Sequence, residues 1–319
     1  MSKEIYSQIF KQIKSSNNIL LATHENPDGD ALASMCAMYE FLHSLNKDVF
    51  LFCHDKPERS FDFLPHIEHV QRQSSNIHFD NLDLIIIVDC ASLRRTKIEE
   101  KLLNLDCPII NIDHHASNNN FGNLNLVDGK TVATTQIIYE LFKSQQIEIN
   151  KNMANCIMTG IFTDSGNFAY TATNSSTFDI ASEMLIKGAS MRDIINNTSK
   201  NKNLPSLKIW GLALSRLQHN KAYDIAYTVL SKADLEEYGV DKEDLEGLSN
   251  FLNNLKDAKI VMVLHELDDG RVKGSFRTTR DNVNVSKLAQ VLGGGGHIKA
   301  AGFEVEGSLE KINGSWQVV

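Results

Sequence analysis

The sequence predicts an α/β fold with two parts: a doubly wound, mainly parallel sheet over residues 1–190, and a smaller α+β domain over 221–319. Three observations carry this. Asp83-Leu-Ile-Ile-Ile-Val-Asp89 is a β-branched run without polar alternation, which implies a central strand buried on both faces. Strand-like and helical patterns alternate along the first 190 residues, as βαβ units do. After residue 221 the pattern changes, and Asp268-Asp-Gly270 marks a hairpin turn between two strand candidates.

Taken in order, Asn18 to Ala22 is a short apolar strand, followed by a turn-rich segment. Ala31 to Leu45 has helical spacing of Leu32, Met35, Met38, Tyr39 and Leu42. Asp48 to Cys53, Asp83 to Asp89 and Pro108 to Asp113 are the next strands, and Thr131 to Phe142 and Asn152 to Phe162 are helices. Residues 191–220 read as a helical linker, polar through Asn196–Asn203 and helical from Ser206 to Gln218. In the second domain Ala222 to Leu230, Lys259 to Leu267 and Val272 to Thr278 are strands, with Gly302 to Val305 as the last.

Composition narrows the function. Hydrophobic residues are 42% and charged residues 23% of 319, ordinary for a globular enzyme. No run of apolar residues reaches the ~18 needed for a membrane helix. The first ten residues fit neither a signal nor a transit peptide, so the expected location is cytoplasmic, away from membranes. Cys36, Cys53, Cys90, Cys107 and Cys156 form no C-x-x-C pair, which argues against thiolate zinc or a disulfide scaffold and for buried apolar roles. A net charge of −8 argues against a broad surface for long duplex DNA. From Ala258 onward eight Lys/Arg meet seven Asp/Glu, so the acidity lies in the preceding part.

The chemistry-bearing residues cluster at strand ends, where open α/β sheets gather ligands. His24, Asp28 and Asp30 fall within the turn His24-Glu-Asn-Pro-Asp28-Gly-Asp30, whose Pro27 and Gly29 give the chain a tight path. Asp89 ends the strongest strand, Asp113 with His114 and His115 ends the next, and Asp164 follows a helix. Any one of these is an ordinary cap or turn residue. Together they are a His/Asp donor set without Cys, which suits Mn²⁺ better than structural zinc. Gly293 to Gly296 precede His297 but do not fit G-x-G-x-x-G, because Lys299 holds the last glycine position; a phosphate-approaching loop fits better.

With these residues in view, the sequence resembles the DHH phosphoesterase superfamily, and within it the nanoRNase and 3′-phosphoadenosine 5′-phosphate phosphatase type. The resemblance spans nearly the whole chain. It rests on His24-Glu-Asn-Pro-Asp-Gly-Asp-Ala31, Val88-Asp89, Asp113-His-His115, Thr163-Asp-Ser-Gly166 and Gly293-Gly-Gly-Gly-His-Ile-Lys-Ala-Ala-Gly302. It implies two divalent cations, Mn²⁺ by preference. His24, Asp28 and Asp89 would hold one, and Asp30, Asp89, His114 and Asp164 the other, with Asp89 as the bridge. It implies that Asp113 orients a histidine and that His115 faces the substrate phosphate as the catalytic group. Arg277, Gly294, Gly295, Gly296 and His297 would bind substrate from a DHH-associated second domain across a cleft. Two departures are visible: Ala33 stands where relatives often have glycine, and Phe168-Ala-Tyr170 lacks a basic residue often found there.

The activity so implied is Mn²⁺-dependent hydrolysis of short single-stranded RNA, two to about five residues, to mononucleotides, with 3′-phosphoadenosine 5′-phosphate as a second substrate. The nearest alternative is a phosphodiesterase for linear or cyclic dinucleotides. From another class, a non-catalytic nucleotide sensor is disfavoured by the complete ligand set. The resemblance also allows a homodimer. Phe168 and Tyr170 fit base stacking or core packing equally, Trp210 fits packing, and Arg94 and Arg95 fit either a phosphate contact or a helix cap.

Overall fold

The structure, a computed structural model, describes residues 3–170, 172–200, 202–312 and 314–319. The chain divides into two compact units, Met1–Asn201 and Lys202–Val319. In the first unit α1 (Lys3–Ser15) and β1 (Asn18–Ala22) lead to α2 (Gly29–Ser44), β2 (Asp48–Phe52), β3 (Leu84–Val88), α3 (Glu99–Leu103), β4 (Ile109–Asp113) and β5 (Leu124–Val127). Four helices complete it: α4 (Thr134–Ser144), α5 (Lys151–Asp164), α6 (Ser175–Ile186) and α7 (Met191–Thr198).

The five strands form one parallel sheet in the order β2-β1-β3-β4-β5. Side chains alternate across it. Ile19 and Leu21 of β1 and Leu84, Ile86 and Val88 of β3 join the core beneath α1, α2, α4 and α5. Leu20, Ala22, Ile85 and Ile87 face a second, smaller core with Leu93, Ile98 and Leu102. The unbroken apolar run of β3 thus reflects cover on both faces, and all five of its residues are buried. At roughly 1.5–3 kcal/mol per buried aliphatic side chain, β3 contributes far more than the edge strand β5, where only Leu126 is buried. That poverty of apolar signal is why β5 was not expected from the sequence. Cys36, Cys53, Cys90 and Cys156 are buried and Cys107 partly so.

The winding reverses at the β1/β3 junction, since β2 lies on one side of β1 and the later strands on the other. In open α/β sheets the carboxyl ends at such a reversal make a natural crevice. The turn after β1 and the residue after β3 meet there.

The second unit comprises α8 (Leu204–Ser215), β6 (Gln218–Asn220), β7 (Ile225–Leu230), α9 (Lys232–Tyr238), α10 (Leu248–Leu252), β8 (Ile260–Glu266), β9 (Arg271–Arg277), α11 (Val285–Val291), β10 (Gly295–Gly296) and β11 (Ala300–Glu306). A final hairpin pairs β12 (Leu309–Ile312) with β13 (Ser315–Val318). The main sheet is mixed, β10-β11-β9-β8-β7-β6, with β7 and β8 parallel and the other pairs antiparallel. Asp268-Asp-Gly270 does join two antiparallel strands, β8 and β9. The strand expected last, Gly302 to Val305, is not the last: β12 and β13 follow it beyond Gly307. Within the stretch read as a linker, Ile194 of α7 packs into the first unit's core, and Ile209 and Ala213 of α8 pack into the second's. Among the described residues no helix is long and apolar enough to cross a membrane.

One buried group makes the second unit acid-sensitive. His265 on β8 is 8% exposed, and its Nε2 has no hydrogen-bond partner. Burial, then the charges of Lys273 and Lys242, lower its pKa to about 4. An unfolded histidine titrates near ~6.5, so between these values the unfolded chain binds a proton that the folded unit refuses. Stability is therefore complete above that range and falls as pH drops towards 4, by on the order of 3 kcal/mol. Urea midpoints at neutral and acid pH check this: His265→Leu should lose less on acidification than the parent, and equal losses would contradict it.

Candidate metal centre

The turn after β1 is fixed from several sides. Asp28 caps α2, its Oδ1 accepting from the Asp30 and Ala31 amides at 3.1 Å each. Asp28 is exposed while Asp30, two residues on, is 1% exposed. A buried carboxylate needs donors, and the amino end of α4 provides them. Thr134 N donates to Asp30 Oδ2 at 2.5 Å, and Thr135 N and Oγ1 donate to Oδ1 at 3.1 and 2.7 Å. Helix α5 crosses close by because residue 160 is glycine: a Cβ there would stand 2.3 Å from both Asp30 Oδ1 and Thr135 Oγ1.

Asp89 lies at the middle of the group. It adopts φ +54°, a left-handed conformation that Asp tolerates better than most residues. Its Oδ1 accepts from Thr134 Oγ1 at 2.8 Å. Oδ2 stands 3.5 Å from His24 Nε2, whereas Oδ1 stands 3.6 Å from His114 Nε2. His114 Nε2 is also 3.2 Å from Asp164 Oδ2, at the end of α5. Behind them, His24 Nδ1 contacts the Glu25 carbonyl at 2.6 Å and His114 Nδ1 the Thr131 carbonyl at 3.4 Å.

Three groups of metal-ligating side chains meet at Asp89, His24/Asp28/Asp89, Asp30/Asp89/His114 and Asp89/Asp113/His115, with the donor atoms of each within 4.8 Å of one another. In the third, His115 Nδ1 stands 3.7 Å from Asp89 Oδ1 but is already engaged by Asp113 at 2.7 Å. The N···O gaps of 3.5–3.6 Å are long for hydrogen bonds. They lie a few tenths of an ångström beyond the ~3.0–3.4 Å that separates two ligands ~2.1 Å from one ion at tetrahedral to octahedral angles, so a small inward shift would let each pair share a cation.

Electrostatics point the same way. Burial disfavours charge on Asp89, but the facing His24 and the nearby His115 and His114 hold its carboxyl well below the usual range. Burial, then the charge of Asp89, pushes Asp30 up to about 7. Asp164 is raised well above its ordinary value by burial and then by Asp30, Asp28 and Asp89. His24 and His114 are raised: burial opposes their charge, but the facing Asp89 carboxylate and the Asp28 charge at His24, and the Asp89 and Asp30 charges at His114, outweigh it. Without cations, protons must balance these crowded carboxylates; divalent cations would replace them. The donor set therefore fits a divalent-metal centre.

His115 stands apart in its connections. Its Nδ1 meets Asp113 Oδ1 at 2.7 Å, and Asp113 Oδ2 accepts from Asn118 Nδ2 at 2.6 Å. Asp113 is fully buried and His115 only partly so. The His115 pKa is raised, the Asp113 hydrogen bond and the Asp89 charge outweighing burial. Asn118 is itself held by Asn111 Nδ2 at 2.9 Å and donates to the Cys90 carbonyl at 3.1 Å.

The candidate substrate residues all belong to the second unit. Arg277 ends β9, opposite Ala300 of β11, and its Nε donates to Asn250 Oδ1 at 2.7 Å. The Gly293 and Gly294 amides are engaged by the Gln290 and Ala289 carbonyls, closing α11. A Cβ at Gly294 would lie 2.1 Å from the Gly302 carbonyl oxygen, so its glycine serves the loop itself. Gly295 differs, having nothing within 4 Å of a built Cβ, and Gly296 has φ +137°. His297 closes a turn with Ala300. Phe168 packs between Phe162 and Phe178, and Tyr170 covers Gly166. Trp210 donates to the Asp244 carbonyl.

Three residues around the centre escaped sequence reading, Thr134, Thr135 and Asn118, while Arg95, read as a phosphate contact or a helix cap, stands behind His24. Arg95 Nη2 lies 3.4 Å from His24 Nδ1, and its carbonyl accepts from the Glu25 amide. The run Thr131-Val-Ala-Thr-Thr135 at a helix start was the available signal for the threonines.

The fold and this centre define the class. The chain carries two recognised domains: the DHH family N-terminal domain matches residues 18–161, and the DHHA1 domain matches 223–314. Among curated relatives, the bifunctional oligoribonuclease and PAP phosphatase NrnA of Thermus thermophilus is 28% identical over 304 residues, spanning 95% of this chain and 88% of that protein. The Bacillus subtilis protein of the same name is 25% identical, spanning 94% and 93%. A crystal structure of an exopolyphosphatase-related protein from Bacteroides fragilis matches with a TM-score of 0.90 at 26% identity, covering 96% of this chain and 92% of that one.

Proposed function

We propose that this chain is a two-metal, Mn²⁺-dependent phosphoesterase that cleaves short RNA oligonucleotides to mononucleotides and 3′-phosphoadenosine 5′-phosphate to AMP. The single observation that carries this is Asp89, whose two carboxylate oxygens face two different histidines. That is the geometry a bridging carboxylate needs. His24 and Asp28 would complete one position, and Asp30, His114 and Asp164 would complete the other. A donor set of His and Asp without thiolate favours Mn²⁺ over structural zinc. Bound divalent cations would supply Lewis acidity towards the phosphate oxygens and the attacking water.

The chain's own residues do the rest. Thr134 and Thr135 fix the carboxylate oxygens that bind, so little reorganisation is needed on loading. Asp113 holds His115 through Nδ1, so a proton delivered to the leaving oxygen comes from Nε2. Asn118 holds Asp113 in turn. Arg277 and the loop Gly294, Gly295, Gly296 and His297 are assigned to the remainder of the substrate, Gly294 through the shape it gives the loop, since its amide is engaged; the open space at Gly295 supports a close approach there, and a guanidinium suits a terminal phosphate. Residues 1–190 then act as the metal domain, 221–319 as the substrate domain, and 191–220 as their connection. A net charge of −8 suits a substrate with few phosphates. Substrate choice follows the names of the relatives, oligoribonuclease and PAP phosphatase, and the cytoplasm is where such substrates arise.

Product release with Mn²⁺ tests this on a dinucleotide, a long RNA, 3′-phosphoadenosine 5′-phosphate and pyrophosphate in parallel. Rapid cleavage of the dinucleotide and bisphosphate, with sluggish long RNA, is expected. Turnover of pyrophosphate alone would overturn the substrate assignment, and no turnover of any would overturn the enzyme assignment.

A further inference from the structure

A second group of metal-ligating side chains lies in the first unit, away from the centre described above. One ring nitrogen each of His66 and His69 and a carboxylate oxygen of Glu68 lie within 4.8 Å of one another. His69 and Glu68 belong to a single 3₁₀ turn, Ile67–His69, which His66 precedes with φ +69°. The side chains of His69 and Glu68 are 51% and 67% exposed. That exposure leaves both side chains room to move towards the ~2.0–2.2 Å bonds a late transition ion requires.

The surroundings are those of a supported ligand histidine. His66 Nε2 is hydrogen-bonded to Glu40, which leaves Nδ1 as the nitrogen able to reach an ion. Glu40 is itself fixed, accepting from Asn150 Nδ2 at 2.6 Å and Asn152 Nδ2 at 3.2 Å. A carboxylate behind an imidazole fixes its tautomer and increases its basicity towards a metal. The Tyr39 ring packs against three imidazoles, 5.0 Å from His66, 5.5 Å from His69 and 5.8 Å from His43. It holds them in one patch.

We propose that His66, His69 and Glu68 form a peripheral site for a borderline divalent transition ion, Zn²⁺ being the best match, with solvent completing the coordination. Two imidazoles and one carboxylate are a donor set that Zn²⁺ accepts readily, and that Mg²⁺ or Ca²⁺, which prefer oxygen, does not. The site has a mechanical meaning. Glu40 stands ten residues beyond Asp30 on α2, so ~15 Å along the helix, and Asn150 and Asn152 stand at the start of α5. A cation there would clamp the far ends of the two helices whose other ends carry Asp30 and Asp164. Binding to the folded chain alone would raise its thermal stability. The site is independent of the phosphoester reading and stands or falls without it.

The experiment titrates Zn²⁺ into the metal-stripped full chain against a chromophoric chelator, comparing the parent with His69→Gln, Glu68→Gln and His66→Asn; asparagine keeps the left-handed backbone at 66. Each variant is expected to bind one zinc fewer per chain, or to bind it at least tenfold more weakly, while Mn²⁺-dependent turnover stays within about twofold of the parent. In an Asp89→Asn background, Zn²⁺ should still raise the melting temperature, and adding His69→Gln should remove that rise. Equal melting temperatures in chelator establish that the variants fold. Unchanged zinc stoichiometry and affinity in His69→Gln would overturn the proposal, as would a zinc-induced rise that survives His69→Gln in the Asp89→Asn background.

Discussion

Asp89→Asn is expected to lower turnover by ~10³-fold or more, the effect of removing several kcal/mol of metal-borne charge stabilisation. Asn matches Asp in shape, still accepts from Thr134 Oγ1 through its carbonyl, and tolerates φ +54°. The fold should therefore survive. What the substitution removes is charge and the second binding oxygen: with the carbonyl on Thr134, the amide nitrogen faces His24 and cannot bind a cation there. Metal content should fall along with activity. Steady-state kinetics and metal analysis on the same preparation check this; a variant retaining both metals and most activity would show that Asp89 is not the bridge.

His115→Ala is the second large effect, and its signature differs. His115 is tied to Asp113 through Nδ1 and is not among the proposed ligands, so its removal should leave Mn²⁺ binding intact. Loss of a proton donor at the leaving oxygen costs roughly 10²–10⁴-fold, and kcat should carry it. His114→Ala, by contrast, should lose metal. Dinucleotide kinetics with parallel Mn²⁺ titrations separate the two; comparable metal loss in both variants would make His115 a ligand.

Much of this centre was legible in the sequence, because strand ends concentrate it. The apolar run through β3 shows a central strand, and Asp89 terminates it. His24, Asp28 and Asp30 fall in one turn, and Asp113 to His115 in another. What could not be read was how the ends converge. Thr134 and Thr135 serve the centre only because α4 starts beside Asp30, a tertiary fact with no local signature. Gly160 looks like an unfavourable residue in a helix until Asp30 is placed against it. Asn118 reads as one of several loop asparagines, yet it carries the hydrogen bond to Asp113. The edge strand β5 and the hairpin β12–β13 bury too little to announce themselves. The glycine loop shows the opposite limit: its sequence suggests a phosphate cradle, but the Gly293 and Gly294 amides already close α11.

The most direct measurement of the central claim is electron paramagnetic resonance of the Mn²⁺-loaded chain at a known metal-to-protein ratio. Two Mn²⁺ ions bridged by Asp89 should give a spin-coupled spectrum at saturation, reverting to isolated-ion signals in Asp89→Asn. A parent spectrum of isolated, uncoupled Mn²⁺ at one ion per chain would contradict it.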